Sequence, residues 1–204
     1  MPDLSHELAS AGIVAGIDEA GRGPWAGPVV AAAAIIDPAN IPPGINDSKK
    51  LSPQKRDTLY EAIIKTCRWG VGSASVIEID TLNILQATKL AMARALGNLG
   101  IVPDVALVDG NQPPALPCRV KTIIGGDGIS LSIAAASIIA KVTRDRFMCE
   151  LANEYPGYGW ERNAGYGTPE HQKALASLGI TRHHRRSYAP IKALLTPTEL
   201  MMIE

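Results

Sequence analysis

Cysteine is scarce in this chain: Cys67, Cys118 and Cys149 are odd in number, far apart and include no C-x-x-C pair. That excludes a disulfide framework and a structural zinc site, and leaves buried or inert thiols as the reading. Long apolar runs are also missing. None approaches the roughly 20 residues that span a bilayer, and the opening MPDLSHELAS lacks the basic start and apolar stretch of a secretory signal. A soluble, cytoplasmic protein is expected. Net charge is absent too, since 20 Lys and Arg balance 20 Asp and Glu. The distribution is less even. Between Glu161 and Lys192, six basic residues (Arg162, Lys173, Arg182, Arg185, Arg186, Lys192) stand against two acids. Such a run is either a solvated charged face or the footprint of an anionic partner.

What is present suits one globular domain over residues 1–204: the chain is 46% hydrophobic and lies below the size at which cores usually split. Ile13 to Ile17 reads as a strand ending at Asp18-Glu19, and Val29 to Ile36 as a second strand paired to it across AGRGPWAGP. Ser52-Pro53 provides an N-cap and a first-turn proline for a helix with Leu59, Ile63 and Ile64 on its apolar side. A strand over Trp69 to Val76 and a helix over Leu82 to Leu99, stopped by Gly100, come next. Val105 to Val108 and Arg119 to Ile124 are short strands leading to Asp109-Gly110 and to Asp127. Leu131 to Leu151 is a long, alanine-rich helix, and Pro169 to Leu178 another, after the loop YPGYGWERNAGYGT. Strands and helices mix along one chain without repeats or linkers, so the expected class is α/β with a central mixed sheet flanked by helices.

Asp18, Glu19, Asp109 and Asp127 each sit where an apolar run gives way to a glycine-containing loop, a position from which side chains can converge at one edge of a sheet. Grouped carboxylates repel unless divalent cations neutralise them, and hard oxygen donors suit Mg²⁺ or Mn²⁺. Each acid also has a plain structural reading: Asp127 as a helix N-cap, Asp109-Gly110 as a turn, Asp18-Glu19 as exposed loop charges. Spacing does not decide between them. The histidines His171, His183 and His184 read as surface or capping residues, and Lys49-Lys50 before a helix as solvated charge or phosphate ligands alongside Arg185 and Arg186.

At GIDEAGRGPWAGPVVAAA (Gly16 to Ala33) the sequence resembles bacterial ribonuclease HII, the type 2 ribonuclease H family. DSKKLS, VDGN, GDGISLSIAAASIIAKVTRDR, YPGYG, GYGTPEH and HRRSYAP occur in the family's order and cover nearly the whole chain. The resemblance implies an RNase H-like fold with a small C-terminal helical extension from about residue 169. It implies metal-binding catalytic acids at Asp18, Glu19, Asp109 and Asp127, and a substrate-reading group formed by Gly21-Arg22-Gly23 and Tyr166, with Lys49 nearby. The implied activity is endonucleolytic hydrolysis of the RNA strand of RNA–DNA hybrids, with nicking on the 5′ side of ribonucleotides embedded in duplex DNA. Removal of misincorporated ribonucleotides and RNA primers would result. Ala164 and Gly125 or Gly126 depart from the pattern, standing where lysines often occur.

Glycine at 21 and 23 lets backbone groups approach a sugar-phosphate chain, and the ribose 2′-hydroxyl is what separates RNA from DNA. Tyr166 can stack on that sugar. Ribonuclease HIII is the nearest alternative within the wider family, but it usually carries an extra N-terminal substrate-binding domain, whereas residues 1 to 12 alone precede the first strand here. A non-catalytic nucleic-acid-binding module is the alternative from a different class; four retained acids speak against it. A nucleotide-binding enzyme lacks support, since G-x-x-x-x-G-K-[ST] is absent. A monomer is expected. Whether a replication factor docks on the tail from Leu194 to Glu204 is left open.

Overall fold

A computed structural model of the chain describes residues 1–196, so most of the tail singled out as a docking segment lies outside the described residues. After a short helix α1 (Ser5–Leu8), the chain forms the hairpin β1 (Val14–Ala20) and β2 (Val29–Ile35). Helix α2 (Pro53–Thr66), strand β3 (Arg68–Ala74) and helices α3 (Val76–Leu82) and α4 (Ile84–Gly97) come after it. Then come β4 (Val105–Asp109), β5 (Arg119–Ile123), the long α5 (Leu131–Glu154) and the short or medium helices α6 (Trp160–Asn163), α7 (Pro169–Leu178) and α8 (Ala189–Lys192). The sheet runs β3-β2-β1-β4-β5, antiparallel on the β3 side and parallel on the β5 side. It is the expected mixed sheet.

Alternation along the strands sorts the side chains onto two faces. Ala15, Ile17, Val29, Ala31 and Ala33 pack with Ala91, Met92, Ala95 and Leu96 of α4. Ala32 and Ala34 pack with Ile138 and Ile139 of α5 and Leu59 and Ile63 of α2. The alanines of β2 bring a helix close on either side. At Gly16 the approach is closer still, because a Cβ there would lie 2.1 Å from the backbone carbon of Ser132. Helix α5 is therefore seated directly on β1. Its other end joins a third cluster, with Met148 and Leu151 against Tyr158, Trp160, Leu175 and Ile191.

Several boundaries differ from the sequence reading, each for a local reason. Strand β1 does not end at the acids but carries Asp18 and Glu19 within it, paired to Ala32 and Ala31 of β2. Val76 belongs to a helix: Ser75 accepts from the Glu78 N–H while the Glu78 carboxylate accepts from the Ser75 N–H, a capping box that stops β3 at Ala74. The helix expected over Leu82 to Leu99 is α4, and a short helix not expected from the sequence, α3, precedes it; Asn83, with a φ of 69°, ends α3 and caps α4 through the N–H groups of Leu85 and Gln86. Asp127 is no N-cap; it lies in a 3-10 turn (Gly126–Gly128), and Ser130 caps α5. Of the thiols, Cys67 and Cys118 are half-buried and Cys149 is exposed, all three free, with burial raising each thiol pKa.

The histidines overturn their surface reading most clearly, for His171 and His184 are fully buried. The Trp160 indole N–H donates to His171 Nε2 at 3.2 Å, so that nitrogen is an acceptor and His171 carries its proton on Nδ1, facing the Tyr166 carbonyl at 3.0 Å. His184 Nδ1 accepts from the Thr181 N–H at 2.9 Å, which leaves its Nε2–H to donate to His171 Nε2 at 3.0 Å. The network is complete only with both rings neutral, and burial lowers both pKa values, that of His184 to about 3. The unfolded chain takes up a proton near pH 6.5, so this stabilisation is full above 6.5 and is lost as pH falls toward 3. For His184 alone the loss between pH 7 and pH 5 is about 2 kcal/mol. Urea midpoints at the two pH values should show it, and His184→Gln should flatten the dependence; equal slopes in both proteins would refute the assignment.

Candidate active site

The register of the sheet brings the first two acids together. Ile17 pairs with Val108 in adjacent parallel strands, so the next residues, Asp18 and Asp109, end up side by side on the face covered by α5. Asp18 is buried, with 4% exposure, and its carboxylate accepts from the Glu19 N–H at 2.7 Å. Asp109 is half-buried and accepts from the Gly126 N–H at 2.7 Å. That bond ties the end of β4 to the turn holding Asp127, itself buried. Glu19, half-buried, is held at 3.3 Å by Arg22. The four acids predicted from sequence therefore share one edge of the sheet, and Asp18 and Glu19 are strand residues rather than exposed loop charges.

Burial raises the Asp18 carboxyl well above its ordinary range, with the nearby Glu19 and Asp109 charges adding to it. Burial likewise raises Glu19 and Asp109, opposed at Glu19 by Arg22 and at Asp109 by the Gly126 N–H. Besides Arg22, a second cation faces the group: Lys49 Nζ lies 3.4 Å from Asp127 Oδ2. Burial alone would lower its pKa, yet Asp127 and Asp18 hold it above the usual value. Lys49 is placed by a 3-10 turn (Ser48–Lys50), capped by Asp47 and pinned to α5 through Ser48 Oγ and Ser137 Oγ at 2.8 Å.

The donor set is all oxygen, which fits a hard divalent cation such as Mg²⁺ or Mn²⁺. Among the described residues no three His, Cys, Asp or Glu side chains converge into a ready-made cage. Of the four acids, Glu19 and Asp109 are the partly exposed ones, with Asp18 and Asp127 buried behind them.

Beside it, a cleft of about 300 Å³ is lined by Glu19, Gly21, Arg22, Gly23, Lys49 and Tyr166, with Ser137, Lys141 and Arg144 of α5 behind them. The substrate-reading residues named from sequence thus lie around one opening with Glu19. Tyr166 is half-exposed, its ring 3.3 Å from where a Cβ on Gly23 would stand. Sequence reasoning misses Ser137, Lys141 and Arg144, although their spacing within SIIAKVTR places them at i, i+4 and i+7 on one helix face. Arg185 is the main correction on the basic side. It is fully buried and bonded to backbone carbonyls, so it is no phosphate ligand. Arg162 is engaged with Glu161 and Glu170. A larger cavity of about 460 Å³ near Val30, Val71, Ile77 and Phe147 offers no acid cluster, since its Glu78 is bonded to Arg94.

The family model described as Ribonuclease HII matches residues 15–191. A Ribonuclease HII of Paramagnetospirillum magneticum is 60% identical over 195 residues, spanning 94% of this chain and 97% of that protein. Among solved structures, the ribonuclease H2 of Pyrococcus horikoshii has a TM-score of 0.74 at 32% identity, over 89% of this chain and 96% of that one. The RNase HII of Archaeoglobus fulgidus, solved in a complex with PCNA, has a TM-score of 0.73 at 32% identity, over 86% and 95%. With a matching family model over most of its length and close relatives along nearly all of it, the chain belongs to the ribonuclease HII family.

Proposed function

We propose that this protein is a divalent-cation-dependent endoribonuclease that hydrolyses the RNA strand of RNA–DNA hybrids and nicks on the 5′ side of a ribonucleotide embedded in duplex DNA. The observation that carries the reading is the register that sets Asp18 beside Asp109 at the end of the sheet to which the Asp127 turn is tied, with the next residue, Glu19, lining the Gly21–Gly23 and Tyr166 cleft. Family membership supports it independently.

In this reading Asp18 and Asp109 hold the cations, with Glu19 and Asp127 completing the set. Mg²⁺ or Mn²⁺ serves. Held by these carboxylates, such ions would supply Lewis-acid activation of a water and charge neutralisation at the leaving oxygen. The acids themselves are too crowded to approach a phosphodiester unaided, which is why the non-catalytic module is disfavoured. Lys49 screens Asp127 and offers an ammonium to a phosphate. Gly21-Arg22-Gly23 presents backbone groups to the sugar, and Tyr166 packs against it. The whole chain, 1–204, works as one catalytic unit with a helical extension from about residue 169, a view supported by α5 contributing to both the sheet core and the C-terminal cluster. A monomer acting in the cytoplasm is part of the proposal, as is a replication-factor partner, by analogy with the Archaeoglobus complex. No helix among the described residues is long and apolar enough to cross a membrane.

The test is a duplex with one ribonucleotide, incubated with Mg²⁺, Mn²⁺ or EDTA, with the product ends mapped. Hydrolysis by water leaves a 3′-hydroxyl and a 5′-phosphate, and EDTA stops it. A 2′,3′-cyclic phosphate would show that the 2′-hydroxyl is the nucleophile and refute this chemistry. Binding without metal-dependent nicking would favour the module.

A further inference from the structure

Two guanidinium groups lie beneath the Gly21–Gly23 loop, Arg144 at 1% and Arg185 at 0% exposure, and neither forms a salt bridge with a carboxylate among the described residues. Burying a charge is costly unless its donors are satisfied. Here backbone carbonyls satisfy them. Arg185 donates to Gly21 O at 2.5 Å, Arg22 O at 2.8 Å, Gly27 O at 2.9 Å and Pro28 O at 3.2 Å. It also donates to the Tyr188 hydroxyl at 2.9 Å, which in turn donates to Arg22 O at 2.5 Å. Arg144 donates to Ala26 O at 3.1 Å, Pro28 O at 2.9 Å and Ala164 O at 3.0 Å. It fills the space under Gly21, where a Cβ would lie 1.9 Å from its Nε and where φ is +95°. Burial and the neighbouring Arg185 lower the Arg144 pKa to about 10, so it stays charged at neutral pH.

The planar trans peptide ties the direction of each amide to that of its carbonyl. The C=O and the next residue's N–H point in opposite directions, so drawing Gly21 O and Arg22 O inward onto Arg185 turns the N–H groups of Arg22 and Gly23 outward. Two successive amides on the outer side of a loop make a recess for an anionic or hydroxyl oxygen, and two buried cations behind them favour one that is negative. Arg185 is itself anchored, its N–H on Trp25 O at 2.8 Å, with the N–H groups of Arg186 and Ser187 on the Asp80 carboxylate of α3 at 3.0 and 2.9 Å.

We propose that Arg185, assisted by Arg144, is a positioning residue that sets substrate discrimination by holding the Gly21 and Arg22 carbonyls inward, so that the loop amides face the ribose and its phosphate. It touches no substrate. This rests on the reading that the loop and Tyr166 recognise the ribose. A lysine keeps the charge but not the planar fork of five donors, so Arg185→Lys separates geometry from charge.

The experiment measures nicking of a one-ribonucleotide duplex in Mg²⁺ with the matched all-DNA duplex as competitive inhibitor, giving kcat, KM and the ratio of the DNA inhibition constant to KM. Arg185→Lys is expected to lower kcat/KM at least about tenfold and the ratio about fivefold, with little change in Tm. Loss of folded protein alone would lower kcat and leave the ratio unmoved. A folded Arg185→Lys with the wild-type ratio overturns the proposal. Should that variant not fold, Tyr188→Phe decides, with a roughly two- to threefold fall in the ratio expected from one lost hydrogen bond and an unchanged ratio overturning it. If wild type shows no preference, or Tyr166→Ala leaves it intact, the ribose reading itself fails. If Tyr166→Ala removes the preference and Arg185→Lys does not, only the bracing role fails.

Discussion

Asp18→Asn and Asp109→Asn are each expected to lower nicking by at least about 10³-fold, a barrier increase of about 4 kcal/mol, while the purified protein keeps its fold. The structural half of that expectation comes from the hydrogen bonds. Asp18 accepts from the Glu19 N–H and Asp109 from the Gly126 N–H, and an asparagine carbonyl oxygen can accept both. The electrostatic half has the opposite sign for stability and for activity. Burial and the Glu19 and Asp109 charges oppose ionisation of Asp18, so a neutral amide relieves repulsion in the metal-free protein. A divalent cation needs that same negative charge. In EDTA the Tm of Asp18→Asn should therefore match or exceed that of wild type, whereas the Tm increase on adding Mn²⁺ should shrink, since a ligand stabilises only in proportion to its affinity for the folded state. Wild-type nicking by either purified variant would remove that residue from the site, and an undiminished Mn²⁺ effect would remove it from the metal set.

The parts of this arrangement that are legible in the sequence share a short range. Ser52-Pro53 capping α2, the run Val29 to Ile36 and the helix from Pro169 to Leu178 are local signals, and α2, β2 and α7 lie where the pattern puts them to within a residue. The Ser75-Glu78 capping box is equally local, but the apolar run from Trp69 extends into Val76 and masks the stop. Helix α3 escapes notice for the same reason, and Asn83, a single residue at positive φ, separates it from the expected α4. The acids are different. No spacing rule relates residue 18 to 109 or 127; what joins them is the crossover that lays β4 parallel to β1, and in the sequence only the resemblance speaks to that. The buried arginine and histidine pairs escape a sequence reading for a related reason. A basic or imidazole side chain is usually at the surface, and its alternative, bonding to carbonyls or rings from distant segments, leaves no mark in composition.

Tyr166→Ala is expected to slow nicking of a single embedded ribonucleotide roughly tenfold to a hundredfold, corresponding to lost contacts of about 1 to 3 kcal/mol, with metal binding untouched. The side chain is half-exposed at the cleft, whereas its backbone is fixed independently: its N–H donates to Asn163 O at 2.9 Å and its carbonyl accepts from His171. Gly165 before it and Gly167 after it fit closely against Ala26 and Trp25. Removing the ring therefore leaves the loop in place and takes away only the surface offered to the sugar, so stability should change by less than about 0.5 kcal/mol. Because the ring faces the loop at Gly23, which has no side chain, the preference is expected to track the ribose and not the base. Matched duplexes carrying rA, rC, rG or rU should be cut on the 5′ side of the ribonucleotide at similar rates, the 2′-deoxy control should resist, and all four rates should fall together in Tyr166→Ala. Cleavage of the all-DNA control, a strong dependence on the base, or a Tyr166→Ala variant as active as wild type would each mean that the sugar is not read by this ring.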